Sequence, residues 1–378
     1  MKFLKKSYFV LFTLIFLITL PATNFSSATA QSENSWASKS AMPTARSGFG
    51  VAVADGNVYA IGGYNKNQTN FLAINEMYNP TTDTWTEKTQ MSTPRVSFGI
   101  ALFQNKIYTF GGQIIGTTGH RELVNVTEVY DPATDTWQIK AAMPNIGEDF
   151  AANVAVGNKI YVISTYTDVY DPATDSWEIK TTIPTAVAHS AFAIVNDKIF
   201  VISGTLHGDD PKLGSPINLT QIYDPKTDSW SLGASIPNSV ASPAAVATSG
   251  SNAPKAIYVV GGLALNSMPG GGFIYDTQNL IQVYFTENNS WTLGAPMPTA
   301  RYALCVASVN DKLYALGGSD ARITPDLTAN ELYLPLGYGT VTSPALPKEL
   351  VYGIAAVVAI VVATFVTVIV MRKHKKQS

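Results

Sequence analysis

Short apolar segments alternate with small and polar residues through most of the chain. Val51-Ala-Val-Ala54 and Val58-Tyr-Ala-Ile61 flank Asp55-Gly56-Asn57, and similar pairs of segments meet at Asn196-Asp197 and Asn310-Asp311. Alternation of this kind, broken by Gly, Asn and Asp, predicts β-hairpins with tight turns. Each second segment ends in paired small residues, at Gly62-Gly63, Gly111-Gly112, Ser203-Gly204, Gly261-Gly262 and Gly317-Gly318, whereas Ser164-Thr165 stand there in the third copy. Such pairs mark a bend or a close approach that leaves no room for a Cβ. Two stretches break the alternation, Tyr8 to Leu20 and Val351 to Met371, where the apolar run is continuous.

A second landmark recurs with the first. Tryptophans fall at 36, 85, 137, 177, 230 and 291, a mean spacing of 51 residues, and a period near fifty signals a repeat architecture. Before Trp85, Trp137, Trp177 and Trp230 stands the phrase Tyr-(Asn/Asp)-Pro-x-Thr-Asp-(Thr/Ser), and Tyr284 keeps the same spacing to Trp291. Each repeat therefore predicts four short strands: a hairpin, a third strand carrying the Tyr, and a fourth beginning at the Trp. Asp, Pro and Thr suit the last turn because Pro presets φ and the other two side chains can bond nearby backbone.

The succession of apolar strand, glycine pair, spaced Tyr and Trp resembles the kelch motif over roughly residues 36 to 334. The resemblance implies an all-β fold, a six-bladed kelch β-propeller of residues 31–334 with four-stranded blades around a central channel. The sixth repeat runs through Gly317-Gly318 to Tyr333 and has no Trp, while Trp36 stands alone before the first. The segment around Trp36 is thus expected to supply the outer strand of blade six and close the ring. Most aromatic residues are then assigned to packing within and between blades.

The ends predict a location. Lys2, Lys5 and Lys6, the apolar run and Ala28-Thr29-Ala30 read as a signal peptide, 1–30, cleaved after Ala30. Residues 351–371 carry no charge and are long enough, at about 1.5 Å per residue, to cross a hydrocarbon core of about 30 Å as one transmembrane helix. Arg372, Lys373, Lys375 and Lys376 follow, so the tail 372–378 is expected in the cytoplasm and the propeller outside, on a Pro-containing stalk, 335–350. The expectation is a single-pass cell-membrane protein held by its C-terminal helix.

Composition then excludes several classes. With 14% charged, 46% hydrophobic and 11% aromatic residues, the chain is not disordered. Residues 31–349 hold 18 Lys and Arg against 27 Asp and Glu, a net of −9, which opposes a nucleic-acid partner. The one cysteine, Cys305, allows no intrachain disulfide and reads as a small buried hydrophobe.

Alternating strands place the loops between second and third strands, and the blade-to-blade connections, on one face. From the small-residue pair to the Tyr those loops span 15, 18, 5, 19, 22 and 15 positions, so variation collects there and blade three has a notch. Arg46, Arg95 and Arg301 follow the proline of the connection in blades one, two and six, where blades three to five have Gly147, Val187 and Val240. Two roles fit: a basic crescent holding a carboxylate or sulfate of a ligand, or bonds to channel carbonyls and acidic side chains of the blades. Glu148, Asp149 and His189 lie nearby and complete the candidate ligand-binding set. Asn67, Asn125, Asn218 and Asn288 begin possible glycosylation sequons.

No metal site or cofactor is expected. The resemblance admits copper-radical galactose oxidases, which need two His, two Tyr and a crosslinked Cys, but His120, His189 and His207 lie in different repeats. It also admits sialic acid mutarotases, for which Glu148, Asp149 and His189 are the grouped acid–base candidates. Cytosolic kelch adaptors of ubiquitin ligases are opposed by the signal and the span. The expected function is binding of an extracellular protein or glycan ligand on the long-loop face, with an enzyme acting on an acidic sugar as the alternative.

Overall fold

A computed structural model describes residues 31–340 except 69, 147–151, 207–213, 269–271 and 322–325. The segments expected as signal peptide, transmembrane helix and basic tail, and most of the expected stalk, lie outside the described residues. Among the described residues no helix is long and apolar enough to cross a membrane.

Six four-stranded antiparallel sheets stand around an axis. Blade one runs outward through Gly50–Ala54, Asn57–Ile61, Asn75–Asn79 and Thr84–Lys88. The innermost strands of blades two to six are Gly99–Phe103, Ala152–Val156, Ala191–Val195, Ala244–Ala247 and Cys305–Val309. Each lies beside the next in order, and Cys305–Val309 lies beside Gly50–Ala54, so the ring is closed. Ser35–Ser38 is the outermost strand of blade six, paired with Asn330–Leu334 so that Trp36 faces Tyr333, as Trp85 faces Tyr78 in blade one. The N-terminal closure read from the missing sixth Trp is the one observed.

The first strand of blade one begins at Gly50, because Gly48 has a left-handed backbone (φ 58°) that ends the strand there. Two of the long loops are themselves hairpins, Gln113–Ile115 with Arg121–Leu123 in blade two and Leu263–Ser267 with Phe273–Thr277 in blade five. In blade five residues 248–256 replace the tight turn found elsewhere, and this loop folds onto Asp311 of blade six, whose carboxylate accepts the Ser249, Ser251, Asn252 and Ala253 amides. The 335–340 segment crosses the same face, where the Gly339 amide donates to the Asn252 carbonyl at 2.7 Å.

Blades are fastened to one another by two repeated devices. At the rim, the Tyr of the third strand donates its hydroxyl to the last Asp or Asn of the turn: Tyr78 to Asp83, Tyr130 to Asp135, Tyr170 to Asp175, Tyr223 to Asp228, Tyr284 to Asn289, Tyr333 to Asn34, all at 2.5–2.7 Å. The same oxygen accepts a backbone amide from the preceding blade, of Ser40, Thr89, Ala141, Thr181, Ala234 and Ala295 in that order. The carbonyl of that very residue receives the Trp indole N–H, from Trp85, Trp137, Trp177, Trp230, Trp291 and Trp36. All six Asp and Asn hold a left-handed φ of 49–56°, which these residue types tolerate best among those with a Cβ.

Near the axis the second glycine of four of the pairs reaches the next blade. The amides of Gly63, Gly204, Gly262 and Gly318 donate to the carbonyls of Arg95, Val240, Arg301 and Arg46 at 2.8–3.0 Å. At Gly63 the φ is 101°, and a Cβ would stand 2.7 Å from that of Phe49 and 2.9 Å from the Ser47 carbonyl oxygen, so only glycine fits.

Two predictions follow from the rim clamp. Trp36→Ala should destabilise the propeller by about 3 kcal/mol, as a large-to-small aromatic change does, and by as much as Trp85→Ala. Thermal unfolding of both variants measures this, and a Trp36 effect well below that of Trp85 would mean that the closing strand contributes little. The second concerns acid. The Tyr130, Tyr170 and Tyr223 hydroxyls hold Asp135, Asp175 and Asp228 below the ordinary carboxylate range, against the cost of burial. A depressed carboxylate contributes stability above its ordinary value of 3.8, and that contribution is lost as pH falls through the folded value. Blades five and six already use Asn at this position, so Asp135→Asn with Asp175→Asn should keep the clamp. That variant should lose less stability than the parent on acidification below about pH 4, read by denaturant midpoints at each pH.

Candidate functional site

The channel and the long-loop face around its mouth form the candidate site. At the mouth, the residue two before the innermost strand is left-handed in every blade described there: Gly48, Ser97, His189, Ser242 and Ala303, with φ of 49–58°. Their backbones join blade to blade, since the amides of Ser97, Gly48, Ala303 and Ser242 donate to the carbonyls of Gly48, Ala303, Ser242 and His189 at 2.8–3.1 Å. Four side-chain-bearing residues thus hold a conformation that costs on the order of 1 kcal/mol each because the ring bonds require it. Sequence reasoning missed this collar, whose positions show no common residue type.

Below the collar the channel encloses about 830 Å³ and is lined by the small residues of the innermost strands, with Ser97, Asn153, His189, Ser190, Ser242 and Thr248 among the polar ones. His189 sits at its mouth, half-buried. Cys305 lines the wall, where its thiol donates to the Phe49 carbonyl at 3.0 Å and burial pushes its pKa up to about 12, which makes it a poor nucleophile. Glu148 and Asp149 lie outside the described residues. Among the described residues no three His, Cys, Asp or Glu side chains gather to hold a metal.

The three arginines do not form an open crescent. Arg46, Arg95 and Arg301 are fully buried, each turned into its own blade. Arg95 donates to Glu128 at 2.6 Å and to the carbonyls of Gly111 and Val126, Arg301 to Glu331 at 2.7 Å and the Gly317 carbonyl, and Arg46 to Glu76 and the carbonyls of Gly62 and Ile74. Burial lowers the pKa of all three guanidiniums while the paired glutamates raise it. A threonine two residues before each arginine binds the other carboxylate oxygen, Thr44 to Glu76 and Thr299 to Glu331 at 2.7–2.8 Å, with Thr93 at 3.5 Å from Glu128. None of these groups has a surface to offer a ligand as it stands.

The partner position, second in the third strand, follows the arginine position through the repeats. Arg goes with Glu76, Glu128 and Glu331, whereas Val187 and Val240 go with Gln221 and Gln282, which bond the backbones of Thr185 and Asn238 instead. Blade three alone combines Gly147 with an acid, Asp168. Asp168 is buried; Asn145 donates to its Oδ1 at 2.7 Å, and its Oδ2 has no hydrogen-bond partner among the described residues. Burial pushes its pKa above the ordinary carboxylate range despite the Asn145 bond. This covariation was present in the sequence, two residues before each Tyr, and only the pairing made it readable.

The loop face itself is divided. Six of the eleven large exposed hydrophobics described lie on it, Ile146 and Tyr166 in blade three, Leu206 in blade four, and Met268, Phe273 and Ile274 on the blade-five hairpin. Over blades one, two and six the loops are polar or covered: Arg121 lies over the rings of Tyr64 and Phe71 at 5.8 and 5.3 Å, and Lys66 bonds Ser319 and Asp326. Of the sequon asparagines, Asn67, Asn218 and Asn288 are exposed, while the Asn125 amide nitrogen donates to the Met143 carbonyl at 3.1 Å.

A model of the Kelch motif matches residues 45–92, 94–144 and 186–237, which cover blades one, two and four. The chain is a kelch-repeat β-propeller. It is similar to Kelch-like protein 23 of Mus musculus, 34% identical over 103 residues, 27% of this chain and 16% of that protein. It is also similar to Kelch-like protein 35 of Mus musculus, 26% identical over 217 residues (56% and 34%), and to Beta-scruin of Limulus polyphemus, 29% over 135 residues (36% and 13%). The propeller thus spans about a sixth of the length of the first of these relatives. Among solved structures, that of YjhT superposes with a TM-score of 0.65 over 76% of this chain and 95% of its own, at 16% identity, a likeness of fold.

If the buried pairs are structural, Arg95→Ala should cost about 3–5 kcal/mol, because it strands a buried Glu128. The combination Arg95→Val with Glu128→Gln reproduces the pairing of blades four and five and should recover most of that loss. Denaturant unfolding of the single and double variants decides it: a double variant as unstable as Arg95→Ala would show that the charge pair itself is needed.

Proposed function

We propose that this propeller is a cell-surface binding protein that engages another protein through its long-loop face over blades three to five. The observation that carries the reading is the uncovered apolar arc of Ile146, Tyr166, Leu206, Met268, Phe273 and Ile274 around the short loop of blade three. Exposed apolar groups gathered on one side of a rigid scaffold mark an interaction site, and aromatic anchors suit a protein ligand better than a strongly hydrated glycan. A ring fastened by six clamps has the rigidity to present such loops without an ordering cost at binding.

The reading includes export by residues 1–30 and anchoring by residues 351–371. Its support is the course of the chain at its exit. Strand Asn330–Leu334 ends on the face of the tight turns, and residues 335–340 stay there against Asn252 and Pro254. A membrane anchor beyond them leaves the loop face directed outward.

The test is capture of partners from a panel of purified surface proteins and glycans by the full chain. Tyr166→Ser with Phe273→Ser should weaken capture at least tenfold, while Ile179→Ser with Leu232→Ser, on the outer rim, should leave it unchanged. Equal loss from both pairs, or loss from the rim pair alone, would overturn the proposal, and selective capture of glycans would redirect it to the carbohydrate reading.

A further inference from the structure

The repeats offer an internal comparison that singles out blade three. In blades one, two and six a buried carboxylate receives a threonine hydroxyl on one side and a guanidinium on the other, and the guanidinium also caps the free carbonyls at the top of the second strand. Blades four and five remove the cation and the acid together. Blade three removes only the cation. By register, Val162 faces Asp168 as Ala60 faces Glu76, so the carbonyls of Val162 and Ser164 correspond to those of Ala60 and Gly62, to which Arg46 donates. Asn145 takes the threonine's place on Oδ1, and Oδ2, in the place of the oxygen that meets arginine elsewhere, has no partner among the described residues.

We propose that Asp168 and the carbonyls of Val162 and Ser164 form a receptor for a basic side chain of the protein partner, which supplies in trans the guanidinium that Arg46, Arg95 and Arg301 supply in cis. The inference rests on the loop-face reading and adds what the partner brings to it. An acid left buried without its cation is costly, and three sister blades show how the fold resolves that cost. A guanidinium fits because its fork can meet a carboxylate oxygen and a carbonyl together. Aspartate is one methylene shorter than the glutamate of the other blades, which sets the acceptor back and leaves length for an incoming side chain. Tyr166 is exposed two residues upstream and Ile146 stands next to Asn145, so the receptor lies under the apolar arc and joins one charged contact to several apolar ones.

The experiment uses the full chain and two small probes of equal shape, N-acetyl-arginine amide and N-acetyl-citrulline amide, with binding followed by ligand-observed NMR. Arginine should bind at least tenfold more tightly than citrulline. Asp168→Asn should abolish the difference, and it should fold, since neutral Gln221 and Gln282 occupy this position in blades four and five. Absence of arginine binding, no preference over citrulline, or full binding by Asp168→Asn each overturns the proposal. The two readings fail separately: partner capture that needs Tyr166 and Phe273 but is indifferent to Asp168→Asn keeps the loop face and discards the receptor. Arginine binding that needs Asp168 in a chain whose capture ignores Tyr166 and Phe273 does the reverse.

Discussion

The interaction on which the rest depends is the grip of each outer turn on the backbone of the preceding blade. One side-chain oxygen, of Asp83, Asp135, Asp175, Asp228, Asn289 or Asn34, accepts from a tyrosine of its own blade and an amide of the neighbour. The indole N–H two residues on takes the carbonyl of that same neighbouring residue. Both polar groups of one peptide segment are thereby satisfied by the next blade, and the segment cannot shift without losing both. The adjoining Tyr–Trp pair, at 4.8–5.1 Å between ring centroids, supplies the apolar cover that keeps water from competing. Blade registration is thus fixed at the rim by the turn and near the axis by the glycine amide, and loops between these two points are free to differ.

That division explains the fate of the arginines. A guanidinium placed at the blade top has two ways to meet its hydrogen-bonding demand: water at the mouth, or the carbonyls and acid of its own blade. In blades one, two and six it takes the second, and its own carbonyl accepts from the glycine of the preceding blade in each case. The same residue then secures the blade internally and externally, which ties it to the scaffold and leaves recognition to loops that vary in length and polarity.

How much of this was legible in the sequence depended on whether a residue's role was local or relational. The number of blades, their strands, the glycine pairs and the closure by Trp36 were all readable, since each rests on spacing along the chain. The turn Asp was readable as a turn residue, but its bond to the preceding blade was not, because the amide it accepts lies 43 residues away in blade one and 261 in blade six. Arg46, Arg95 and Arg301 were read correctly as equivalent, and both roles considered for them followed from charge alone. What decides between those roles is the second residue of the third strand, and Glu76, Glu128 and Glu331 become its partners only once the strands are laid side by side. The collar of left-handed residues was illegible for a different reason: Gly48, Ser97, His189, Ser242 and Ala303 share a backbone constraint and no side chain.

Closing the ring with the chain's own first strand has a geometric consequence for the two faces. Asn34 and Leu334 belong to the same blade and meet directly, the Asn34 amide donating to the Leu334 carbonyl at 2.8 Å. Strands three and four of an antiparallel blade join at one end only, so a break between them leaves both free ends at that end. Chain entry, chain exit and the tight turns therefore share one face, where the Asp311 loop and residues 335–340 pack together. Among the described residues the opposite face carries neither the entry nor the exit of the chain and no closure contact of the outer clamp. It is the face on which insertion of a hairpin, as in blades two and five, or deletion to the short loop of blade three, perturbs neither registration nor closure. A site built there inherits a rigid base, and the place where the loop is shortest is also where the fold left an acid without its arginine.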